Sequence, residues 1–382
     1  MSKENKSYVL SFVTTIILSI LFIYLGHMIT KTQVLETQEM FYKAKVTSII
    51  DVIEDKQEVE GLSGGMNSKT ITFNAKIRNG DLKGEDISAV QYIDYMYAIH
   101  PKDVKVGDQI IVSKTDNVDQ YGESWIFTEY NRSKKLTILC ISFLGLILLI
   151  GRSKGIATIL SLIFTIGAIF GVYIPSILSG KNIYLSTTII TLFIIFMSII
   201  LLNGINKKSV CAIIGNVGGV FISAILALVM NNALGITGLI EQDYIFLTYL
   251  ETQAPIDLKA IIWGGILIGS LGAIMDVSMS ISSAMNEIAD TMNRYSPRRM
   301  IRSGMNIGKD VIGTMTNTLI LAYIGGSLAT VLLLIAYNKN WLMIFNMEMI
   351  VVEVLQALVG SMGILFSVPI TVLVAAYIFK RD

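Results

Sequence analysis

One carboxylic acid lies where a charge is costly, inside a long apolar segment. Asp276 belongs to the apolar run 260–284, and no apolar run of the chain contains lysine or arginine. A charge at the centre of a membrane-spanning helix costs roughly 2.5–3.5 kcal/mol on insertion scales. An acid without a neighbouring cation is therefore protonated, bound to a cation or exposed to a water-filled cavity. We interpret Asp276 as a proton or cation site at the floor of a solute pathway.

Polar and small residues recur every three or four positions in three of the apolar runs. This spacing places them on one side of each helix. The three stripes consist of Gly265, Gly269, Gly272, Asp276, Ser280, Ser283 and Glu287; of Asp310, Thr314, Asn317 and Leu321; and of Glu353, Gln356, Gly360, Gly363 and Ser367. We expect all three stripes to face the interior of a helix bundle, because lipid offers polar groups no partner.

The rise of an α-helix predicts that polar residues of four helices lie in one layer. Asp276 lies about 22 Å along its helix, and Asn216, Asn317 and Thr371 lie about 9–12 Å from the membrane surface nearest them. Glu353 lies near the opposite surface, so we do not expect it to pair with Asp276. The predicted pathway residues are Asp276, Asn216, Ser280, Ser283, Thr314, Asn317, Asp310, Glu353 and Gln356.

Helix packing is the alternative explanation for these stripes. Gly265 and Gly269 have the spacing that lets two membrane helices approach closely, and asparagine or threonine can hydrogen-bond between helices. Packing explains the glycines and threonines adequately. It does not explain Asp276, which has no basic residue to neutralise it.

The elements that position these residues are long apolar helices. The chain has 382 residues, of which 53% are apolar and 15% are charged, an unusual balance for a soluble domain. Runs of this length predict membrane spans. The predicted spans are 8–29, 136–150, 156–178, 183–202, 210–229, 260–284, 311–336 and 349–379. The first is a retained anchor or a signal peptide, and its length favours an anchor. The last is about 46 Å long as a straight helix, so it must tilt, bend at Pro369 or extend beyond the membrane.

A charged segment separates the first two spans. Residues 30–135 hold 14 of the 30 basic and 17 of the 29 acidic residues. Apolar residues alternate with polar ones at 71–77, and further strands are predicted at 46–53, 110–112 and 125–130. Gly61 to Gly65 is expected to form a hairpin tip. The sequence thus predicts an anchor helix (1–29), a small β-rich domain of OB-like type (30–135) and a seven-helix transmembrane domain (136–382). The fold class is an all-α polytopic membrane bundle with this β-rich domain.

Basic residues indicate the orientation of the bundle. If the N-terminus is cytoplasmic, 13 basic residues lie in the cytoplasm and three lie in the short outer loops. The positive-inside rule therefore predicts cytoplasmic termini and an extracytoplasmic β-rich domain. Part of the excess forms a cytoplasmic basic loop containing Arg294, Arg298, Arg299 and Arg302. These arginines either bind anionic lipid or a phosphorylated ligand, or fix the topology and pair with Glu287, Asp290 and Asp310.

Motifs of soluble enzymes do not occur in the sequence. It contains no P-loop, HExxH, CxxC or nucleophile elbow, and its two cysteines have no metal-ligand spacing. His27 and His100 are interpreted as an interfacial and a surface histidine. We expect no enzyme activity, no cofactor, no metal site and no nucleic-acid partner.

Two sequence segments have a specific residue pattern: Gly272-Ala-Ile-Met-Asp276-Val-Ser-Met-Ser-Ile-Ser-Ser283, and Ser303-Gly-Met-Asn-Ile-Gly-Lys-Asp310 continued by Gly313-Thr-Met-Thr-Asn-Thr318. Together they resemble the YibE/F-like family of bacterial multi-spanning membrane proteins. The resemblance extends from about residue 136 to the C-terminus. It implies a protein of the bacterial cytoplasmic (inner) membrane and does not imply a substrate.

Two functions are consistent with the sequence. The first is a transporter or permease of unknown substrate, coupled to protons or cations through Asp276. The alternative is a non-transporting membrane module whose extracytoplasmic domain senses or binds an envelope partner. Besides the lipid bilayer, the expected partners are a small solute or ion, an envelope partner for residues 30–135, and further copies of the chain.

Overall fold

The computed structural model describes residues 3–30, 40–57, 66–94, 102–115, 125–250, 252, 254–291, 296–337 and 340–379. Three features from the sequence lie outside these ranges: the predicted hairpin tip at Gly61 to Gly65, His100 and Arg294. The chain forms two compact units. One comprises Met1–Val34 and Leu146–Asp382, and the other comprises Leu35–Gly145.

The smaller unit contains a five-stranded barrel. Its strands are β1 (Phe41–Gln57), β2 (Met66–Ile77), β3 (Asp86–Asp94), β4 (Gln109–Lys114) and β5 (Trp125–Tyr130). They close in the order β1-β2-β3-β5-β4, with β4 paired to β1. Every pairing is antiparallel except that of β3 with β5. The four strands predicted from the sequence are confirmed, and β3 is an additional strand.

Alternating side chains fill the barrel. Phe73, Ala75 and Ile110 are completely buried, as expected where every second residue of a strand points inward. Gln91 of β3 also points inward and is 1% exposed. Its amide donates to the carbonyl of Lys102 (3.0 Å) and accepts from the amide of Val104 (2.9 Å), so the buried polar group is satisfied.

The larger unit is helical. Its helices are α1 (Lys3–Ile29), most of α2 (Ser133–Ala168), α3 (Ile174–Leu178), α4 (Ile183–Asn203), α5 (Lys207–Ala233), α6 (Gln242–Thr248), α7 (Leu258–Thr291), α8 (Pro297–Gly326), α9 (Leu328–Tyr337), α10 (Trp341–Ile344) and α11 (Glu348–Ile378). A π-helical turn, Ile169–Tyr173, joins α2 to α3. Side-chain oxygens of Asn182, Asn206 and Ser296 cap the N-termini of α4, α5 and α8.

Within the described residues, six helical segments are long and apolar enough to cross a membrane. A seventh is obtained if α8 and α9, which meet at an angle of 61°, form one broken span. These features fit a multi-pass membrane protein. The two predicted spans 136–150 and 156–178 belong here to one helical segment, Ser133–Leu178, of 46 residues. That segment is interrupted at Arg152, where φ is 49° and the backbone is not helical.

Helices α5, α7 and α11 form the centre of the bundle. Glycines allow their close approach: a methyl group at Gly219 of α5 would lie 2.7 Å from the carbonyl oxygen of Gly363 of α11 and 2.9 Å from Ile274 of α7. Pro369 lies inside α11, which is helical throughout its 31 residues. Helix α8 packs across α7 and α11, where Gly304 meets Met285 and Val372.

Candidate functional site

The polar stripe of α7 lies on the exposed side of the helix. Gly265, Gly269, Gly272, Asp276 and Ser280 are all exposed in the single chain. The stripe has the predicted helical period, but the expectation that it faces the bundle interior is wrong. The interior side of α7 is occupied instead by larger apolar residues and by serines two positions away from the stripe, such as Ser278 and Ser282.

Asp276 lies close to the midpoint of α7. The helix has 34 residues and is about 51 Å long, so it extends beyond a hydrocarbon core of about 30 Å. Asp276 lies within the apolar part of α7, residues 260–284, and not in the ends of the helix that exceed such a core. Among the described residues, its carboxylate makes no hydrogen bond and no ion pair. Ser283, about two turns further along, is half-buried and donates to the carbonyl of Met279 (2.7 Å).

The polar stripe of α8 is exposed as well, so the prediction that it faces inward is also wrong. Asp310, Thr314 and Asn317 lie on the exposed side, and Leu321 continues it. The opposite side of α8 packs against the bundle through its apolar and small residues, including Met300, Gly304, Gly308 and Leu319. The apolar side of this amphipathic helix thus determines which side is buried.

The packing of α8 on α7 sets the level of these polar groups. The two helices run antiparallel, since Gly304 meets Met285, Gly308 meets Ile281 and Gly269 meets Tyr323. This register places Thr314 at the level of Asp276, and Asp310 at the level of Ser280. Two neighbouring helices thus carry exposed polar groups at matching heights.

The stripe of α11 is the one that faces inward as predicted. Gly360, Gly363 and Ser367 are buried, and a methyl group at Gly363 would overlap the hydroxyl of Ser223. At the other end of this stripe, Gln356 and Glu353 are half-buried. Glu353 lines a cavity of about 220 Å³ together with Tyr323 and Ser327. This cavity lies at the bend between α8 and α9.

A buried polar layer occupies the centre of the bundle. Asn216 is completely buried, and neither atom of its amide has a hydrogen-bond partner among the described residues. A methyl group at its neighbour Gly215 would overlap Thr371 Oγ1 and lie 3.3 Å from Ser278 Oγ. The layer predicted from helix rise is thus divided. Asn216 and Thr371 lie inside the bundle, whereas Asp276 and Asn317 lie on its exposed side.

Two residues of structural importance were not predicted from the sequence. Ser278 is completely buried and its hydroxyl has no partner among the described residues. The repetition of serine at positions 270, 278 and 282 could have indicated this second polar side of α7. Glu348, at the start of α11, accepts hydrogen bonds from the backbone amides of Thr237 and Gly238, both 2.7 Å long. These hydrogen bonds connect the loop after α5 to the start of α11.

The described arginines of the cytoplasmic basic loop are exposed. Arg298, Arg299 and Arg302 make no ion pair with Glu287 or Asp310 in the part of the chain that the structure covers. These three arginines therefore do not form the predicted ion pairs with those two acids, whereas Arg294 lies outside the described residues. Asp290 accepts a hydrogen bond from the amide of Asn286 (3.0 Å).

The smaller unit has a charged groove where the barrel continues into α2. Its volume is about 870 Å³, and its charged lining residues are Lys102, Asp108, Glu129, Arg132, Lys134 and Lys135. Lys102 pairs with Asp108 (3.2 Å) and Arg132 pairs with Glu129 (2.5 Å). The hydrogen bond from Arg132 lowers the pKa of Glu129. Lys134 and Lys135 make no ion pair with any described residue.

The described residues contain no group of three histidine, cysteine, aspartate or glutamate side chains that could hold a metal ion. Cys140 is exposed and Cys211 is buried, and both are free thiols.

Comparison with known proteins gives one family match. The family model described as YibE/F-like protein matches residues 139–381, which is more than half of the chain. The match includes α5, α7, α8 and α11, and therefore both polar sides of α7. No curated protein and no solved structure matches the chain.

Proposed function

The chain belongs to the YibE/F-like family, and from its polar helix faces we propose that it is a membrane transporter or permease of unknown substrate, coupled to protons or cations. Asp276 carries this proposal. It is an acid near the midpoint of α7, on an exposed side, with no partner among the described residues. Lipid alone does not accommodate such a carboxylate, so a proton, a cation or water must accompany it.

The chemistry required of Asp276 is simple. A carboxylate that takes up a proton or cation from one side of the membrane becomes neutral, and the neutral form is the cheaper one in a medium of low dielectric constant. Release on the other side regenerates the carboxylate. Thr314 lies at the same level on α8 and supplies a hydroxyl oxygen. The break between α8 and α9 gives the bundle a discontinuous helix, a common feature of transporter sites.

We further propose a topology of eight spans in the bacterial cytoplasmic membrane, with both termini in the cytoplasm. A straight helix of 46 residues would be about 69 Å long, more than twice the hydrocarbon thickness. The break at Arg152 divides this segment into two spans. A methyl group at Gly155 would lie 2.5 Å from the carbonyl oxygen of Ile147, as expected if the chain folds back there. The distribution of basic residues supports the orientation.

Ion movement in liposomes tests the transport proposal. The purified full-length protein is reconstituted with the pH-sensitive dye pyranine inside, and proton entry is followed under a valinomycin-imposed potential. Uptake of radioactive Na⁺ is measured in parallel. We expect one of these ions to enter faster than in protein-free liposomes, and we expect Asp276→Asn to reduce entry to the protein-free rate.

Glu287→Gln is the matched control for this experiment. It also removes one exposed acid from the same side of α7, but about 16 Å further along the helix. Native rates in Glu287→Gln together with loss in Asp276→Asn support the proposal. Native rates in Asp276→Asn would refute the coupling role.

A second candidate function is supported by the groove of the smaller unit. In this alternative the chain is a non-transporting membrane module whose extracytoplasmic domain binds an envelope partner. The strand order of the barrel, with parallel β3 and β5, supports an OB-like type, which is often a ligand-binding fold. Lys134 and Lys135 favour an anionic partner.

Charge removal in the groove separates the two functions. Under the second candidate, Lys134→Gln combined with Lys135→Gln reduces binding of the reconstituted protein to isolated anionic cell-wall polymer, while Asp276→Asn has no effect. Under the transport proposal, the lysine variant retains native ion flux and Asp276→Asn loses it.

A further inference from the structure

The exposed sides of α7 and α8 need a cover that lipid cannot supply. Asp276, Ser280, Thr314 and Asn317 are exposed in the single chain, although they lie within the apolar runs 260–284 and 311–336. Asn317 has no hydrogen-bond partner among the described residues. Acyl chains offer such groups neither donors nor acceptors. We propose that a second copy of this chain covers this surface, which we call the α7–α8 face.

Open space on the α7–α8 face allows another helix to approach. A methyl group built at Gly265, Gly272 or Gly313 would meet no atom within 4 Å. The buried glycines of the bundle differ, since a methyl group at Gly219 would meet three atoms within 2.9 Å. Small residues on a membrane helix let a partner backbone come close. Gly265, Gly272 and Gly313 are thus unused by the packing of the single chain, whereas Gly269 of the same stripe already contacts Tyr323 of α8.

The chemistry of the face is complementary to itself. Asn306 and Asn317 lie on the exposed side of α8, and each amide carries both donors and an acceptor. A two-fold axis parallel to α8 and beside it brings each amide against the same amide of the second chain. The two amides can then hydrogen-bond to each other. Lys309 and Asp310 are adjacent and exposed, so the same axis brings the cation of one chain towards the acid of the other. A lipid-facing surface has no need of such pairs.

The dimer gives Asp276 its surroundings. In the single chain, α7 and α8 supply one polar wall at the level of Asp276 and Thr314. A second copy supplies an equivalent wall, and the two walls enclose a polar path between the chains. This inference rests on the proposed transport function for the role of the path, whereas the interface itself is tested without any transport measurement.

Cysteine cross-linking in native membranes tests the interface. Cys140 and Cys211 are first replaced by alanine, and Thr314→Cys is added on the α7–α8 face. Two differently tagged copies are co-expressed and oxidised with copper phenanthroline. We expect a disulfide-linked species of twice the monomer mass that carries both tags. Phe221→Cys is the control, because this residue is 63% exposed on α5, away from the proposed interface.

Charge exchange tests the complementarity on the same background. Lys309→Asp places acids opposite acids and should reduce the yield of cross-linked dimer at least about fivefold, since like charges in contact repel. Adding Asp310→Lys to that variant restores opposite charges and should restore the yield. Both variants remain monodisperse in detergent if they fold.

Three results would overturn the dimer: no linked dimer with Thr314→Cys, equal linkage with Phe221→Cys, or linkage of Thr314→Cys mainly to a different protein. These results leave the transport proposal standing if Asp276→Asn still loses ion flux. Loss of the transport proposal in turn leaves the cross-linking result unchanged.

Discussion

The two sides of α7 differ in what their polar groups do. On the buried side, Ser270 donates to the carbonyl of Ile266 (2.8 Å) and Ser282 donates to the carbonyl of Lys208 (2.6 Å). On the exposed side, Asp276 has no partner among the described residues, and Gly272, one turn before it, is in open space. The buried polar groups are small and lie within close helix packing, whereas the exposed ones include an acid and leave room for a partner.

Polar residues in an apolar helix are therefore of two kinds, which differ in their hydrogen-bond partners. A buried hydroxyl that bonds to the backbone of its own or a neighbouring helix serves packing and contributes little else. A carboxylic acid exposed near the middle of a membrane helix has no such structural role. We therefore assign packing to the α5–α7–α11 centre and, under the proposed function, transport to the α7–α8 face.

The largest loss of stability is expected for Gly219→Ala, and Gly272→Ala is its matched contrast. In Gly219→Ala the new methyl group meets the Gly363 carbonyl oxygen at 2.7 Å and Ser367 Cβ at 2.8 Å. We expect destabilisation of about 3 kcal/mol, because the nearest obstacle is backbone that cannot rotate away. The measurement is the melting temperature of the detergent-purified protein. In Gly272→Ala the methyl group meets nothing within 4 Å, and melting should be unchanged. Equal losses in both variants would contradict the distinction between the two sides.

A smaller effect is expected at Asn216. Replacing this buried amide, which has no partner among the described residues, by leucine, whose side chain has the same branched shape and number of heavy atoms, should stabilise the protein by about 1–2 kcal/mol. If the bundle centre serves packing alone, Asn216→Leu also retains ion flux within about twofold of native, a change of under 0.5 kcal/mol. Melting temperature and flux in liposomes are measured on one preparation. Loss of ion flux in Asn216→Leu would place the pathway in the bundle centre. It would contradict the assignment of packing alone to that centre.

The smallest effect concerns Ser278. Its hydroxyl is buried without a partner among the described residues, so Ser278→Ala should stabilise the protein by roughly 0.5–1 kcal/mol. Flux should remain native. Ser282→Ala provides the contrast, because its hydroxyl bonds to the Lys208 carbonyl and its removal should destabilise by about 1 kcal/mol. Chemical unfolding of the two variants in parallel sharpens the assignment. Stability losses of similar size in both would indicate that Ser278 has a partner.

Helical period was predictable from the sequence, but the direction of each stripe was not. Asp276 and Ser280 lie on the same side of α7 because they are about one helical turn apart. This spacing can be read directly from the sequence. Which side faces inward depends on the partners of the helix. In a membrane, hydrophobicity does not separate inside from outside, because lipid is as apolar as the bundle centre. For α8, the apolar residues opposite Asp310 and Thr314 did carry this information.

Two elements of the fold were harder to predict for local reasons. Strand β3 was missed because Gln91 stands at an inward position, where its amide is satisfied by backbone groups of residues 102 and 104. The interruption at Arg152 falls in the gap between the predicted spans 136–150 and 156–178, but the residue type gave no signal of its backbone conformation, in which φ is 49°. Alternation of apolar and polar residues indicated the strand at 71–77 directly.

A pathway along the α7–α8 face requires water at the exposed side of α7, and thiol labelling measures whether water reaches it. Ser280→Cys lies one turn from Asp276 and leaves that acid in place. Ile214→Cys is the control, since it is exposed on α5 next to Gly215, at the level of Ser278. Both are made in protein lacking Cys140 and Cys211, and each is treated in membranes with a charged, membrane-impermeant thiol reagent. We expect rapid labelling of Ser280→Cys and little labelling of Ile214→Cys. Equally slow labelling at both positions would show that the α7–α8 face is not in contact with water, and would refute a hydrated pathway along this face.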